Sequence, residues 1–318
     1  FGIDADQLLV HRPDAAAAVL EEMDLLFKEG KLSPLPHRVF SARKVVDAFV
    51  HMQQSKHVGK IVVHTADLAE DPPPSTNARR VLLRGDATYL ISGGTDGFGL
   101  ATACWLAERG ARHVALLGRR GRRATAENPL LQELLRQGVD IHFLQCDVSD
   151  GAALDARLRE LEASSPPLRG VVHAAAYIED ALLAEITPEQ FQRVVAPKAC
   201  GAWELHRATK GMDLDHFVLY SSATTYLGSP GQGSYVAANS YLEALGAHRR
   251  SLGLPALVVA WGPIDDVGYL ARHPKTRERL LARTGSTALQ SREALACLDR
   301  LMTSEIDGVM AASLDWEM

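Results

Sequence analysis

Cysteine is scarce in this 318-residue chain, and what there is does not cluster. Cys104, Cys146, Cys200 and Cys297 stand far apart with no C-x-x-C spacing. That speaks against a zinc site and a disulfide frame and reads as free thiols of a reducing, cytoplasmic compartment. No apolar run reaches the ~20 residues that cross a bilayer, and the N-terminus lacks a signal-peptide pattern. Charge of one sign is also missing: 34 Lys and Arg against 39 Asp and Glu leave a formal net charge of −5, so no field favours nucleic acid. Arg119-Arg120 and Arg122-Arg123 are local exceptions, either a solvated loop or a phosphate site. His57 reads as a lone surface histidine, and no metal is expected. No internal repeat is visible. Phe1 is not an initiator Met, so an excised piece of a longer protein is expected.

What is present is ordinary globular material, 47% hydrophobic and 23% charged, enough for one large domain or two modest ones. The cluster Asp71-Pro72-Pro73-Pro74-Ser75-Thr76-Asn77 divides it. Its prolines forbid helix and remove backbone donors, so residues 66–80 read as a stiff, exposed linker. Upstream, residues 1–65 carry helical patterns near 15–28 and 41–54 and two β-like pieces, Arg38-Val39-Phe40 and Lys60-Ile61-Val62-Val63. That is thin for an independent core and reads as the tail of another domain. Downstream, residues 81–318 alternate. Strands are expected at Thr88–Ser92, His113–Leu117, Asp140–Gln145, Gly170–His173, His216–Tyr220 and Ala256–Ala260. Helices are expected through Leu106-Ala107-Glu108 and at Pro129–Gln137, Ala153–Glu162, Pro188–Ala208 and Tyr235–Ser251. Continuous apolar strands alternating with helices predict an α/β fold, a Rossmann-like doubly wound parallel sheet with helices on both faces.

Ser92-Gly93-Gly94-Thr95-Asp96-Gly97-Phe98-Gly99 joins the first of these strands to its helix. Glycine permits positive φ and lets the backbone approach a phosphate, and the helix N-terminus beyond offers free N–H groups. Turns use the same residues, but the strand–loop–helix setting makes this a dinucleotide-binding candidate. Arg119 ends the next strand, where an acid would bind a ribose 2′-OH and an Arg accommodates a 2′-phosphate; this favours NADPH over NADH. Asp147 and Val148 follow the third strand and are placed for the adenine edge. Asp147 or Ser149 could equally cap the next helix.

A polar set lies further on. Ser222 closes a strand at the carboxyl edge of the sheet, Tyr235 opens a helix beyond a glycine-rich loop, Asn239 shares its face one turn later, and Lys198 comes from the preceding helix after Pro197. Reducing a ketone needs a hydride on carbon and a proton on oxygen. A phenol with a pKa of about 10 is a weak acid near neutrality; a nearby ammonium lowers it toward the working range, and a serine hydroxyl can polarise the carbonyl. Singly each residue also has a bland reading: Tyr235 as an amphipathic cover, Lys198 as a solvated lysine, Ser222 as a cap.

Together these residues carry a resemblance. Tyr89–Gly99, Arg119 to Gly121, Cys146-Asp147-Val148, His173-Ala174-Ala175, Pro197-Lys198, Phe217 to Ser222, Gly228 to Asn239 and Ala260-Trp261-Gly262 make residues 81–318 similar to the ketoreductase domain of a reducing type I polyketide synthase, within the short-chain dehydrogenase/reductase superfamily. In ordinary short-chain reductases a lysine follows the tyrosine by one turn. Here that place holds Asn239 and the lysine is Lys198, an interchange that marks polyketide and fatty-acid synthase ketoreductases. The resemblance implies Tyr235 as proton donor, Lys198 as its electrostatic support and ribose ligand, Ser222 as orienter of the carbonyl and Asn239 as completing a polar relay. It also implies that Gly93, Gly94, Thr95, Asp96, Gly97, Phe98, Gly99, Arg119, Asp147, Val148, Ala174 and Ala175, together with Lys198 and Tyr235, hold NADPH. Gly118 and Ala176 depart from the usual serine and glycine.

Ile178-Glu179-Asp180 resembles the Leu-Asp-Asp motif of B-type ketoreductases, and Leu227 occupies the place where A-type enzymes carry Trp; Asp180 and Leu227 therefore imply a D-configured 3-hydroxyacyl product. A loop acid pair is the plain alternative. The segment from Asp265 through Arg283 corresponds to a lid helix, with Leu270, Leu280 and Leu281 compatible with that or with simple packing. Leu26 to Pro36 and Lys56 to Val62 resemble the C-terminal end of an enoylreductase, which makes residues 1–65 a remnant without its own activity. The expected partners are an acyl carrier protein and neighbouring enoylreductase and other synthase domains. Three alternatives stand beside this: a structural pseudo-ketoreductase, a ketoreductase of an animal-type fatty acid synthase, and a free-standing short-chain reductase.

Overall fold

Apolar runs that carry no polar alternation must be buried on both faces, and they are. The computed structural model describes residues 11–54, 58–64, 81–121, 128–284, 286–304, 306 and 308–314. The expected linker at 66–80, the pair Arg122-Arg123 and His57 lie outside them. The chain divides into two units, Phe1–Ala78 and Arg79–Met318.

In the first unit, α1 (Pro13–Lys28) precedes β1 (His37–Ser41), then a short 3₁₀ turn, α2 (Val45–Gln53) and β2 (Lys60–His64). The two strands pair in parallel, His37 opposite Lys60. Both β-like pieces and both helical patterns of the sequence are present.

The second unit is built on a seven-stranded sheet. Its members are β3 (Thr88–Ser92), β4 (His113–Leu117), β5 (Asp140–Leu144), β6 (Leu168–His173), β7 (His216–Ser222), β8 (Leu257–Trp261) and β10 (Val309–Ala311). Their order is β10-β8-β7-β6-β3-β4-β5, and every pair is parallel. The helices are α3 (Gly97–Glu108), α4 (Pro129–Arg136), α5 (Gly151–Ser164), α6 (Pro188–Val195), α7 (Gly201–Thr209), α8 (Thr224–Leu227), α9 (Gly233–Ser251), α10 (Gly268–Arg272), α11 (Pro274–Thr284) and α12 (Ser291–Met302). A small antiparallel pair, β9 (Ser286–Thr287) with β11 (Ser313–Leu314), completes it.

Because successive strand residues point to opposite faces, Ile91, Val114 and Leu116 pack with α3, α4 and α12. Leu90, Ala115 and Leu117 pack with α5, α7 and α9. Strand order reverses between β3 and β6, and ligands of open α/β sheets bind at such a switch point, beyond the carboxyl ends of the strands.

Three expectations need correction. The helix expected over Pro188–Ala208 is broken into α6, a π turn at Ala196–Cys200 and α7. Pro197 has no N–H to give and its ring clashes with the carbonyl one turn back, so the chain takes one wide turn instead. The strand expected to end at Tyr220 continues to Ser222. And α12 and β10 were not anticipated: Val309–Ala311 is too short to show a period.

Candidate active site

A cleft of about 1130 Å³ opens at the switch point. Its floor is the loop from β3 to α3. Gly93 and Gly97 have φ of +70° and +53°, left-handed values that favour glycine. A Cβ on Gly93 would lie 2.8 Å from the Ala175 backbone, one on Gly94 2.7 Å from the Ile91 carbonyl oxygen, and one on Gly99 would run into the Gly93 carbonyl. Gly93, Thr95, Asp96, Gly97, Phe98 and Gly99 line the cleft. Gly94 does not; it faces the sheet beside Leu116 and serves packing. The Phe98 ring is held by Tyr220 and Trp261, at centroid distances of 5.2 and 5.4 Å. Arg119, Asp147, Val148, Ala174 and Ala175 complete this half. Asp147 accepts from the Ser149 amide at 3.0 Å and hydroxyl at 2.7 Å, while the cap of α5 is Asp150 rather than either of them. A cradle that no side chain can fill, followed by the N-terminus of a twelve-residue helix, fits a dinucleotide phosphate.

The other half gathers Lys198, Ser222 and Tyr235. Lys198, 3% exposed, hangs from the π turn and its Nζ donates to the Tyr220 carbonyl at 2.6 Å. Its Nζ lies 5.6 Å from the centroid of the Tyr235 ring. Burial lowers its pKa to about 7. The expected lowering of the Tyr235 phenol by this ammonium is not what the geometry gives: burial raises it, Asn239 and Ser222 pull it back by hydrogen bonding, and the charge of Asp180 adds to the rise. An ammonium buried this deeply needs an oxygen, and the end of β7 supplies it. Ser222 Oγ accepts from the Thr224 amide at 3.3 Å and hydroxyl at 3.0 Å. Asn239 does not line the cleft. Fully buried, it donates to the Tyr235 carbonyl at 2.8 Å, and its Oδ1 has no partner among the described residues.

Of the acid pair, Glu179 turns away to Arg193 at 2.8 Å, whereas Asp180 lines the cleft and accepts from Gln232 Nε2 at 3.1 Å. Leu227, Leu270 and Leu280 also line it; Leu281 does not. Sequence reasoning missed His173 as an individual residue. It is fully buried between Ser92 Oγ, 2.6 Å from its Nδ1, and the Lys198 carbonyl, 2.8 Å from its Nε2. A carbonyl can only accept, so Nε2 carries the proton and Ser92 donates to Nδ1. Burial, then the Lys198 charge, lowers the His173 pKa to about 3. This neutral imidazole ties β3, β6 and the π turn together; the His-Ala-Ala run was its only signal.

With this geometry in view, a family model described as the KR domain matches residues 87–266, more than half of the chain. The chain belongs to the polyketide synthase ketoreductases. It is 39% identical over 288 residues to polyketide synthase GfsB of Streptomyces halstedii, covering 90% of this chain and 5% of that protein. It is 37% identical over 299 residues to a phenolphthiocerol synthesis polyketide synthase of Mycobacterium marinum, covering 93% and 14%. With a reducing polyketide synthase of Cochliobolus heterostrophus it shares 40% over 269 residues, covering 84% and 11%. Two solved structures, titled an A1-type ketoreductase and A-type ketoreductases from a modular polyketide synthase, superpose with TM-scores of 0.71 and 0.70 at 38% and 40% identity. They cover 78% and 77% of this chain, which spans 51% and 50% of theirs. The chain is thus a small part of the length of its curated relatives, which are multidomain synthases. A second model, described as a zinc-binding dehydrogenase, matches residues 3–63, in keeping with the enoylreductase-like reading of that stretch.

As a ketoreductase the domain uses a nicotinamide cofactor, and the glycine cradle fits one. No helix among the described residues is long and apolar enough to cross a membrane. Away from the cleft, at the opposite ends of β4 and β5, donor atoms of His113, Asp140 and His142 lie within 4.8 Å of one another, a set that could hold a metal. Their separation in the chain hid them from sequence reasoning.

Proposed function

We propose that this domain reduces, with NADPH, the 3-oxo group of an acyl chain delivered by an acyl carrier protein, with Tyr235 as proton donor. The observation that carries the reading is that Ser222, Tyr235 and Lys198, from three separate elements, line one cleft whose floor is the glycine loop. When bound, the nicotinamide supplies hydride to the carbonyl carbon. Ser222 has its oxygen occupied by two donors from Thr224, so its own proton, given to the Tyr235 phenol in the free cleft, turns to a carbonyl oxygen when a substrate enters. Tyr235 then gives its proton to that oxygen. Lys198 uses one N–H on Tyr220 and keeps two for the ribose and for stabilising the phenolate. Asn239 fixes the first turn of α9 through the Tyr235 carbonyl, and its unmet Oδ1 is the place for a relay water.

Arg119, exposed at the mouth, supports NADPH over NADH. Gly118 in place of serine has a local reason: a Cβ there would lie 2.8 Å from Thr95 Oγ1. Asp180 on the cleft wall supports the B-type, D-configured product, and Leu227 lines the same cleft. Two solved neighbours carry A-type titles, so chiral analysis of the product decides, and a dominant L isomer sinks the B-type reading. The neighbouring synthase domains would lie outside residues 81–318, with 66–80 as linker and 1–65 as the inactive end of an enoylreductase. Tyr235→Phe is expected to lower reduction of a 3-oxoacyl thioester by about 10²–10⁴-fold with NADPH binding retained; retained reduction refutes the role of Tyr235. Absence of NADPH binding by the parent protein would instead favour a structural pseudo-ketoreductase.

A further inference from the structure

Two segments distant in sequence meet on one carboxylate in the cleft. Asp96 Oδ1 accepts from the Gly97 amide at 2.7 Å and caps α3. Asp96 Oδ2 accepts from Arg272 Nη1 at 2.8 Å and lies 3.6 Å from an Arg120 nitrogen. Arg272 ends α10, on the lid side; Arg120 follows β4. The start of α10 is held to the same loop by backbone packing: a Cβ on Gly97 would lie 2.8 Å from the Gly268 Cα. Arg119, Arg120 and Arg272 all line the cleft with Asp96. Two guanidinium groups thus face one carboxylate, with Arg119 a third cation on the same cleft. Of the other acids in the cleft, Asp147 holds Ser149 and Asp180 holds Gln232. Around the glycine loop, Arg119, Arg120 and Arg272 outnumber Asp96 and Asp147.

We propose that Arg272, assisted by Arg120, is a phosphate ligand of the dinucleotide, and that Asp96 is a surrogate anion that keeps Arg272 aimed at the loop until the phosphate takes its place. A guanidinium fork holds phosphate bidentately and more strongly than an exposed carboxylate pair. Since Arg272 belongs to α10, cofactor binding then also secures the lid side over the acyl end of the cleft. This rests on the dinucleotide reading above.

Fluorescence titration of NADPH and NADH against the parent, Arg272→Gln and Asp96→Asn tests it. Arg272→Gln should raise the NADPH Kd by about tenfold or more. Loss shared equally by NADH assigns the contact to the pyrophosphate, and loss confined to NADPH assigns it to the 2′-phosphate; both support the proposal. Asp96→Asn keeps a capping acceptor for α3 and removes only the competing charge, so it should tighten NADPH by about two- to fivefold. A purely structural Asp96, whose cap Asn retains, would leave the affinity unchanged. Parent-like affinity of Arg272→Gln for both nucleotides overturns the phosphate role, and unchanged or weaker NADPH binding by Asp96→Asn overturns the surrogate role. A parent protein that binds neither nucleotide removes the cofactor reading itself, and this inference with it.

Discussion

The two units of this chain treat the same kind of element in opposite ways. In Arg79–Met318 the parallel strands are covered on both faces, and residues such as Leu90 and Leu116 have no exposure. In Phe1–Ala78 the parallel pair β1 and β2 is largely exposed along its length, and among the described residues only Ala16 and Ala48 are buried hydrophobics. Val46, Phe49, Leu20 and Leu25 are 69%, 65%, 58% and 55% exposed there. Parallel sheets are stable when both faces are covered, so the first unit has the strands of a domain without the layers that complete one. The difference teaches that local propensity made its helices and strands, while only the second unit adds a core.

The contrast can be broken most directly by truncating one side chain in the second unit. Leu90→Ala should cost about 2–5 kcal/mol in denaturant unfolding; a cost below 1 kcal/mol would mean the layers are loosely packed. Acid comes next. The unfolded chain protonates His173 near its ordinary pKa of 6.5, whereas in the folded domain the value is about 3. Between those limits the unfolded state binds more protons, so stability falls as pH drops, by at most ~1.4 kcal/mol per pH unit from this group. His173→Gln should flatten that slope, read from urea midpoints across the window. At the alkaline end, Lys198 with its value of about 7 works in the same sense: between pH 7 and about 10 the unfolded chain holds the proton, so stability rises with pH, and Lys198→Met should remove the rise. The smallest effect belongs to the first unit, where Phe49→Ala should change stability by no more than ~0.5 kcal/mol; a loss matching Leu90→Ala would reveal a core there after all.

How far this was legible in the sequence depends on distance along the chain. The strands from Thr88 to Trp261 stood out because continuous apolar runs between glycine or proline signals have few other uses. The glycine loop, Ser222 and Tyr235 were legible because each sits where a strand or helix begins or ends. The break in the helix around Lys198 was half visible in Pro197, but whether a proline kinks a helix or widens one turn depends on tertiary packing, which no local pattern encodes. The meeting of Asp96 with Arg272, the burial of His173 against Ser92, and the direction of the Lys198 ammonium all depend on long-range placement. That placement also reversed the expected shift of the Tyr235 phenol, since burial outweighed a cation directed elsewhere.

The π turn at Ala196–Cys200 has a consequence for recombining such domains. An α-helix advances about 100° per residue, and the wide turn takes up one extra residue in nearly the same rotation between α6 and α7 while presenting Lys198. A chimera spliced within 196–200 that dropped one residue would restore a regular helix and keep α7 nearly in phase. Leu205 would stay in the core, while the turn that aims the lysine at the Tyr220 carbonyl would be lost. Length across this joint, more than identity, is what a graft must preserve.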